Sequence, residues 1–294
     1  MLRPWPALAD AACISPRRKS KPQALAVWKW YNFAEQQCPE EKRILRVNVD
    51  ETSICHWMFS ACGNVIKQTN TKCGSVQPRA KVPHSCTRRY FTYVAFICDD
   101  ADFQACMPQV AIANEASLRV QELAALKQRA RRNQVILREK SAWNNNAIFR
   151  NCIDLMLALL GDTNVAALHI ILLFDVAKAH IHESTLRHCA RRGLHVGVIP
   201  ARTTGILQPL DTHVFSQYKH MLKKRYTAAQ LIADKTVLPL PVVVMLVLAT
   251  AQSIMEEKPW AHAFSGNGFS PRQASVRRSL LRSLQWDQVP PHAM

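Results

Sequence analysis

The chain has 294 residues, 48% hydrophobic and 20% charged, a globular balance that excludes a disordered or fibrous protein. Lys and Arg number 38 against 21 Asp and Glu, a formal net charge of +17 that gathers polyanions, nucleic acid first among them. Ten cysteines with no CxxC pair, and a start interrupted by Pro4, Pro6 and Asp10, speak against a secreted disulfide framework and for reduced thiols in a cytosolic or nuclear setting.

Residues 1–42 read as a basic, poorly ordered lead-in, with Arg17-Arg18-Lys19-Ser20-Lys21 between two prolines. From 44 the alternation Ile44-Leu45-Arg46-Val47-Asn48-Val49-Asp50 predicts a strand, with Val47 and Val49 on one face and Asn48 and Asp50 on the other. A second strand is expected near 64–69, after the turn signal Gly63-Asn64. A third runs from Tyr90 to Cys98, rich in aromatic and β-branched residues and stopped by Asp99-Asp100. Three such runs in succession suggest an antiparallel meander.

Helix formers dominate 115–140 and predict a helical insertion with a basic side, Lys127, Arg129, Arg131, Arg132, Arg138 and Lys140, either facing DNA or simply solvated. A second helix is expected over about 146–160, where Ile148, Phe149, Cys152, Leu155, Met156 and Leu159 recur at helical spacing. The unbroken apolar run from Leu168 to Phe174, ending in Asp175, predicts a strand buried on both faces. A helix at 183–192 and a short strand at Leu194 to Ile199 complete a βαβ-sized unit. Asp211 then opens a helix whose stripe is Val214, Phe215, Tyr218, Met221 and Leu222, with Lys219, Lys223 and Lys224 off it. The apolar stretch Val242 to Ala251 is shorter than the roughly 20 residues a membrane span needs, and reads as core. The expected fold class is α/β: a mixed five-stranded sheet flanked by helices, with the helical insertion before the fourth strand. The core would occupy 43–226, followed by a C-terminal helical extension over 227–294.

Asp50 and Asp175 sit at strand ends and Asp211 at a helix start, where sites of open α/β sheets gather. Converging carboxylates repel one another unless a cation is bound, and hard oxygen ligands suit Mg²⁺ or Mn²⁺. Two such ions would stabilise the attacking and leaving oxygens of an in-line phosphoryl displacement. Each acid also has a structural reading: Asp211 as a helix N-cap, Asp50 as the polar end of a strand, Asp175 as a turn residue. Glu51 faces away from Asp50 in a regular strand, and is not expected as a ligand.

The residues around the acids resemble the DDE endonuclease superfamily, specifically the pogo, Tigger and jerky-like transposases and their relative centromere protein B. Val49-Asp50-Glu51-Thr52 is similar to the first-Asp motif of that group, and Phe174-Asp175-Val176-Ala177-Lys178-Ala179-His180 to the second, with Val176 where the group usually has Asn. Ile199 to Asp211, containing Thr203-Thr204 and Gln208-Pro209-Leu210-Asp211, resembles the third closely, and 35 residues separate Asp175 from Asp211. Trp143 to Phe149 and Phe264 to Pro271 add to the likeness, which covers roughly 44–271.

The resemblance implies an RNase H-like fold and a transposase-type endonuclease, with Asp50, Asp175 and Asp211 as catalytic residues holding two Mg²⁺ or Mn²⁺ ions. His180, Thr204 and Gln208 would support that site or touch substrate. Lys127, Arg129, Arg131, Arg132, Lys219 and Lys223 are the expected nucleic-acid contacts. DNA is the expected partner, a homodimer would join two cut ends, no membrane is involved, and the nucleus is the expected location. The forty or so residues ahead of the first strand are too few for the paired helix-turn-helix modules of such relatives. The alternative reading is therefore a catalytically decayed or domesticated transposase-derived DNA-binding protein.

Overall fold

The computed structural model describes residues 16–55, 89–235 and 237–290. Where composition suggests a poorly ordered lead-in, Pro16–Gln36 forms a helix, α1. Its Ala24, Val27, Trp28, Tyr31 and Ala34 recur at helical spacing and are buried, so the apolar stripe outweighs the basic cluster ahead of it.

Next come β1 (Arg43–Cys55), β2 (Arg89–Cys98), a single-turn α2 (Ala101–Gln104), β3 (Gln109–Asn114), α3 (Val120–Arg129) and β4 (Gln134–Glu139). The helices α4 (Asn146–Leu160) and α5 (Asp162–Ala167) lead to β5 (Leu168–Asp175), α6 (Glu183–Arg191), β6 (His195–Ile199) and a short α7 (Thr204–Leu207). A π-helical turn, Leu210–Val214, runs straight into α8 (Phe215–Ala233), followed by α9 (Leu240–Ala251), α10 (Ala261–Gly266) and α11 (Arg278–Ser283).

The sheet has six strands in the order β4-β3-β2-β1-β5-β6, not five. β1 pairs antiparallel with β2, and β2 with β3. β4 lies parallel to β3, while β5 and then β6 continue parallel on the other side of β1. Two short strands escape the sequence pattern. β3 (QVAIAN) is half alanine and asparagine, with weak strand propensity, and β4 (QVILRE) directly follows the helix formers of α3, so the expected 115–140 helix is a helix followed by an edge strand. The strand expected near 64–69 lies outside the described residues. The buried β5, the βαβ unit β5–α6–β6 and helix α4 stand where the periodicity puts them, and the apolar stretch read as core forms the helix α9.

Alternation along the strands builds two cores. Val47, Val49, Val94, Phe96, Leu172 and Phe174 pack against Phe149, Cys152 and Met156 of α4. On the other face, Ile54, Tyr93, Ala95, Ile171 and Leu173 meet α1, α8, α9 and the C-terminal segment through Trp28, Tyr31, Tyr218, Leu222, Val247, Phe264 and Phe269. Two glycines permit the closest approaches. A Cβ on Gly197 of β6 would stand 2.6 Å from the Trp30 ring, and one on Gly268 (φ +87°) 2.3 Å from Trp28 Nε1.

Candidate active site

The register of β1 against β5 decides where the first two acids meet. The last pair is Asn48↔Leu173, and extending it by two residues sets Asp50 level with Asp175 on neighbouring parallel strands. β1 does not end at Asp50, as the sequence suggests; it runs on to Cys55 paired with β2 alone, so Asp50 sits where β1 parts from β5. Chain connections leave β1 and β5 in opposite directions across the sheet, a topological switch point at which a crevice opens.

Asn48, fully buried, ties this crevice to the third acid. Its amide donates to Leu173 O (2.9 Å), and its carbonyl accepts from Leu210 N (2.9 Å), the residue before Asp211. The π turn that carries Asp211 is braced from outside as well. Asn267 donates to Thr212 Oγ1 (2.8 Å), and Arg277 donates to Ile206 O (2.9 Å). Thr212 Oγ1 in turn donates to Gln208 O (2.8 Å), and the Thr204 hydroxyl hydrogen-bonds the Asp211 carboxylate. His213 stays neutral, pushed down to about 4 by burial and by the neighbouring Arg277 and His262.

Asp175 is held on one oxygen only. Its Oδ1 accepts from Ala177 N (3.0 Å) and meets His180 Nδ1 at 2.7 Å, which fixes the carboxylate and leaves Oδ2 outside both bonds. His180 is buried between the rings of Phe149 and Phe174, with centroids 4.1 and 5.5 Å away, so its position is set by packing. Gln208 is fully buried, and its side-chain amide has no partner among the described residues.

The three acids grade from Asp50, buried, through Asp175, half-buried, to Asp211, exposed. Burial pushes the Asp50 carboxyl well above its ordinary range, and the charges of Asp211 and Asp175 push it further. Burial also raises Asp211, with Asp175 adding to it while Lys219 and the Thr204 hydrogen bond oppose it. Asp175 goes the other way: burial would raise it, but the bonds from His180 and Ala177 N–H win and hold it low. All three carboxylates therefore act on one another. Glu51 turns to the opposite face, where its charge raises the Cys152 thiol beyond the effect of burial, as expected for a regular strand.

No three His, Cys, Asp or Glu among the described residues stand together as a group that could hold a metal ion as they are. The three carboxylates are an all-oxygen donor set, open on the Asp211 side, of the type that suits Mg²⁺ or Mn²⁺ rather than a softer metal. Of the expected nucleic-acid contacts, Lys219 lies near enough to Asp211 to lower it. Lys127 and Arg129 stand exposed on α3, which crosses from β3 to the edge strand β4, three strands from β1. Arg131 is exposed and pairs with Glu256 at 3.5 Å; Arg132 is exposed, and Lys223 half-buried on α8. Sequence reasoning missed Asn48, Asn267 and Arg277. Asn48 left a signal as a polar residue on the Asp50 face of a strand, and Asn267 lies in the Phe264 to Pro271 run without its role being legible there; Arg277 left none.

Three consecutive antiparallel strands, followed by parallel strands on the far side of the first, with acids at the switch point, define an RNase H-like α/β domain. The chain belongs to the DDE superfamily endonuclease family, which matches residues 92–254. Asp175 and Asp211 fall inside that span, and the register brings in Asp50 ahead of it. Among solved structures, the mariner Mos1 paired end complex with Mg is similar at 11% identity and a TM-score of 0.46, over 98% of this chain and 68% of that one. The Mos1 transposase paired-end complex with left transposon end aligns at 12% identity and 0.38, over 91% and 67%. No curated protein sequence matches the chain.

Proposed function

We propose that this chain is the catalytic core of a cut-and-paste DNA transposase, hydrolysing phosphodiesters and transferring the freed strand ends. The observation that carries the reading is the Asp50–Asp175 alignment across the β1/β5 switch point, with Asn48 tethering Asp211 to it. Asp50, Asp175 and Asp211 would hold two Mg²⁺ or Mn²⁺ ions. When bound, such ions activate the attacking oxygen and neutralise the leaving one. The chain's own work is positional. His180 and Ala177 N–H keep Asp175 ionised with Oδ2 free, Thr204 orients Asp211, and Lys219 offsets negative charge at the open side. A homodimer acting in the nucleus belongs to the same reading, since two DNA ends must be cut and joined together. Among the described residues no helix is long and apolar enough to cross a membrane.

The test is nicking of supercoiled plasmid by the purified chain with Mn²⁺, beside Asp175→Ala and Asp211→Ala. Metal-dependent nicking lost in both variants is the expected result. DNA binding without nicking above the variants would refute the enzyme and leave the domesticated binder.

A further inference from the structure

One face of α6 presents Glu183, Arg187, Ala190 and Arg191, opposite the buried Thr185 and Cys189 that anchor the helix. With Arg150 of α4, His182 and Ser184, this face lines an open groove of about 790 Å³. The groove is linked to the acid-bearing strand β5 by a short connection: the chain passes from Asp175 through the buried His180 to His182, the N-cap of α6. Lys178 is exposed on the same connection.

The cations here are available. Arg191 is exposed and makes no ion pair among the described residues. Arg187 pairs with Glu183, but both side chains are more than 70% exposed, and ion pairs of that kind are worth little and exchange readily. Arg150 donates to Ser184 Oγ, and both line the groove. Arg192 and His188, by contrast, are committed to Asp154 and lie outside the lining. Guanidinium forks match phosphate oxygens, and a groove of them bordering a carboxylate cluster solves a specific difficulty: an acidic site repels the polyanion it must cut.

We propose that the Arg150–Arg187–Arg191 groove carries the phosphate backbone of duplex DNA into the acidic crevice. This rests on DNA being the substrate, and it assigns the contact to a surface separate from α3 and α8.

The experiment is duplex binding by fluorescence anisotropy across a salt series, for wild type, Arg187→Gln/Arg191→Gln and Arg187→Lys/Arg191→Lys. Each phosphate contact contributes about 0.9 to the slope of log K against log salt, so the Gln pair should lower that slope by about 2 while the Lys pair keeps it. Both positions are solvent-facing, so thermal melting should be unchanged, and nicking should fall with affinity. An unchanged slope in the Gln pair, equal loss in the Lys pair, no duplex affinity in wild type, or a preference for RNA would each overturn the groove. The two readings fail separately. A groove-dependent slope without any metal-dependent nicking refutes the endonuclease and leaves the groove; nicking with an unaltered slope does the reverse.

Discussion

Asn48 shows how a residue without chemistry of its own can set the spacing of three acids. A fully buried amide must satisfy its polar atoms, and here the partners are the two backbone groups that fix the spacing of the site, Leu173 O and Leu210 N. Asn48→Ala leaves both unpaired, at a cost of about 1–3 kcal/mol of stability by urea unfolding. If the side chain also sets the separation of Asp211 from Asp50, nicking should fall by about tenfold, roughly 1.4 kcal/mol of barrier, and recover partly at high Mn²⁺. Stability loss with an unaltered Mn²⁺ dependence would show that Asn48 only supports the fold. Asp175 and Asp211 were legible in the sequence because local runs enclose them, a buried strand and a Thr-Thr…Gln-Pro-Leu-Asp loop. Asn267 and Arg277 were not, because they act on Asp211 from more than fifty residues away, and only the folded chain brings them to Thr212 and Ile206.

At the scale of elements, strong local patterns survived and weak ones did not. β5 declares itself by eight consecutive residues of strand, seven of them buried. β3 and β4 have no comparable run; β3 exists because β2 offers an edge to pair with, and β4 because β3 then offers the next. α1 is the instructive case, since its attachment is polar as well as apolar. Arg46 of β1 reaches Glu35 at 2.7 Å, Asp99 at 2.6 Å and Tyr31 Oη at 2.6 Å, joining helix, central strand and the end of β2. All three charged side chains are less than a fifth exposed. Burial raises the Asp99 carboxyl, and the Arg46 charge and hydrogen bonds oppose that rise. Arg46→Ala strands two buried carboxylates and should destabilise by about 3–5 kcal/mol, lowering the urea midpoint without changing the slope. Adding Glu35→Gln and Asp99→Asn to that variant should recover much of the loss. A cost below about 1 kcal/mol would mean the network behaves as a surface pair.

For the molecule as a whole, the question is whether the acid-bearing sheet stands alone. Sequence composition suggests a core at 43–226 with a lead-in and an extension, yet the face of the sheet that bears Asp50 is covered by both flanks at once. Trp28 of α1 donates to Asn267 O at 3.0 Å and packs on Trp286, ring centroids 5.8 Å apart, so the two ends of the chain close over the same core. Phe264, Phe269, Leu280 and Leu284 belong to that core together with Tyr93, Leu173 and Tyr218. Elements that share one core melt together, because removing any of them exposes the apolar surface of the rest. Calorimetry of the full chain should therefore give one transition for this core, with calorimetric and van't Hoff enthalpies in agreement. A 43–226 fragment should lack a cooperative transition and bind a hydrophobic dye, having lost the cover of α1, α9 and the C-terminal segment. Two resolved transitions, or a fragment that melts cooperatively, would show that the flanks are appendages. In that case the bond from Asn267 to Thr212 would be expendable, and nicking by the fragment should match that of the full chain.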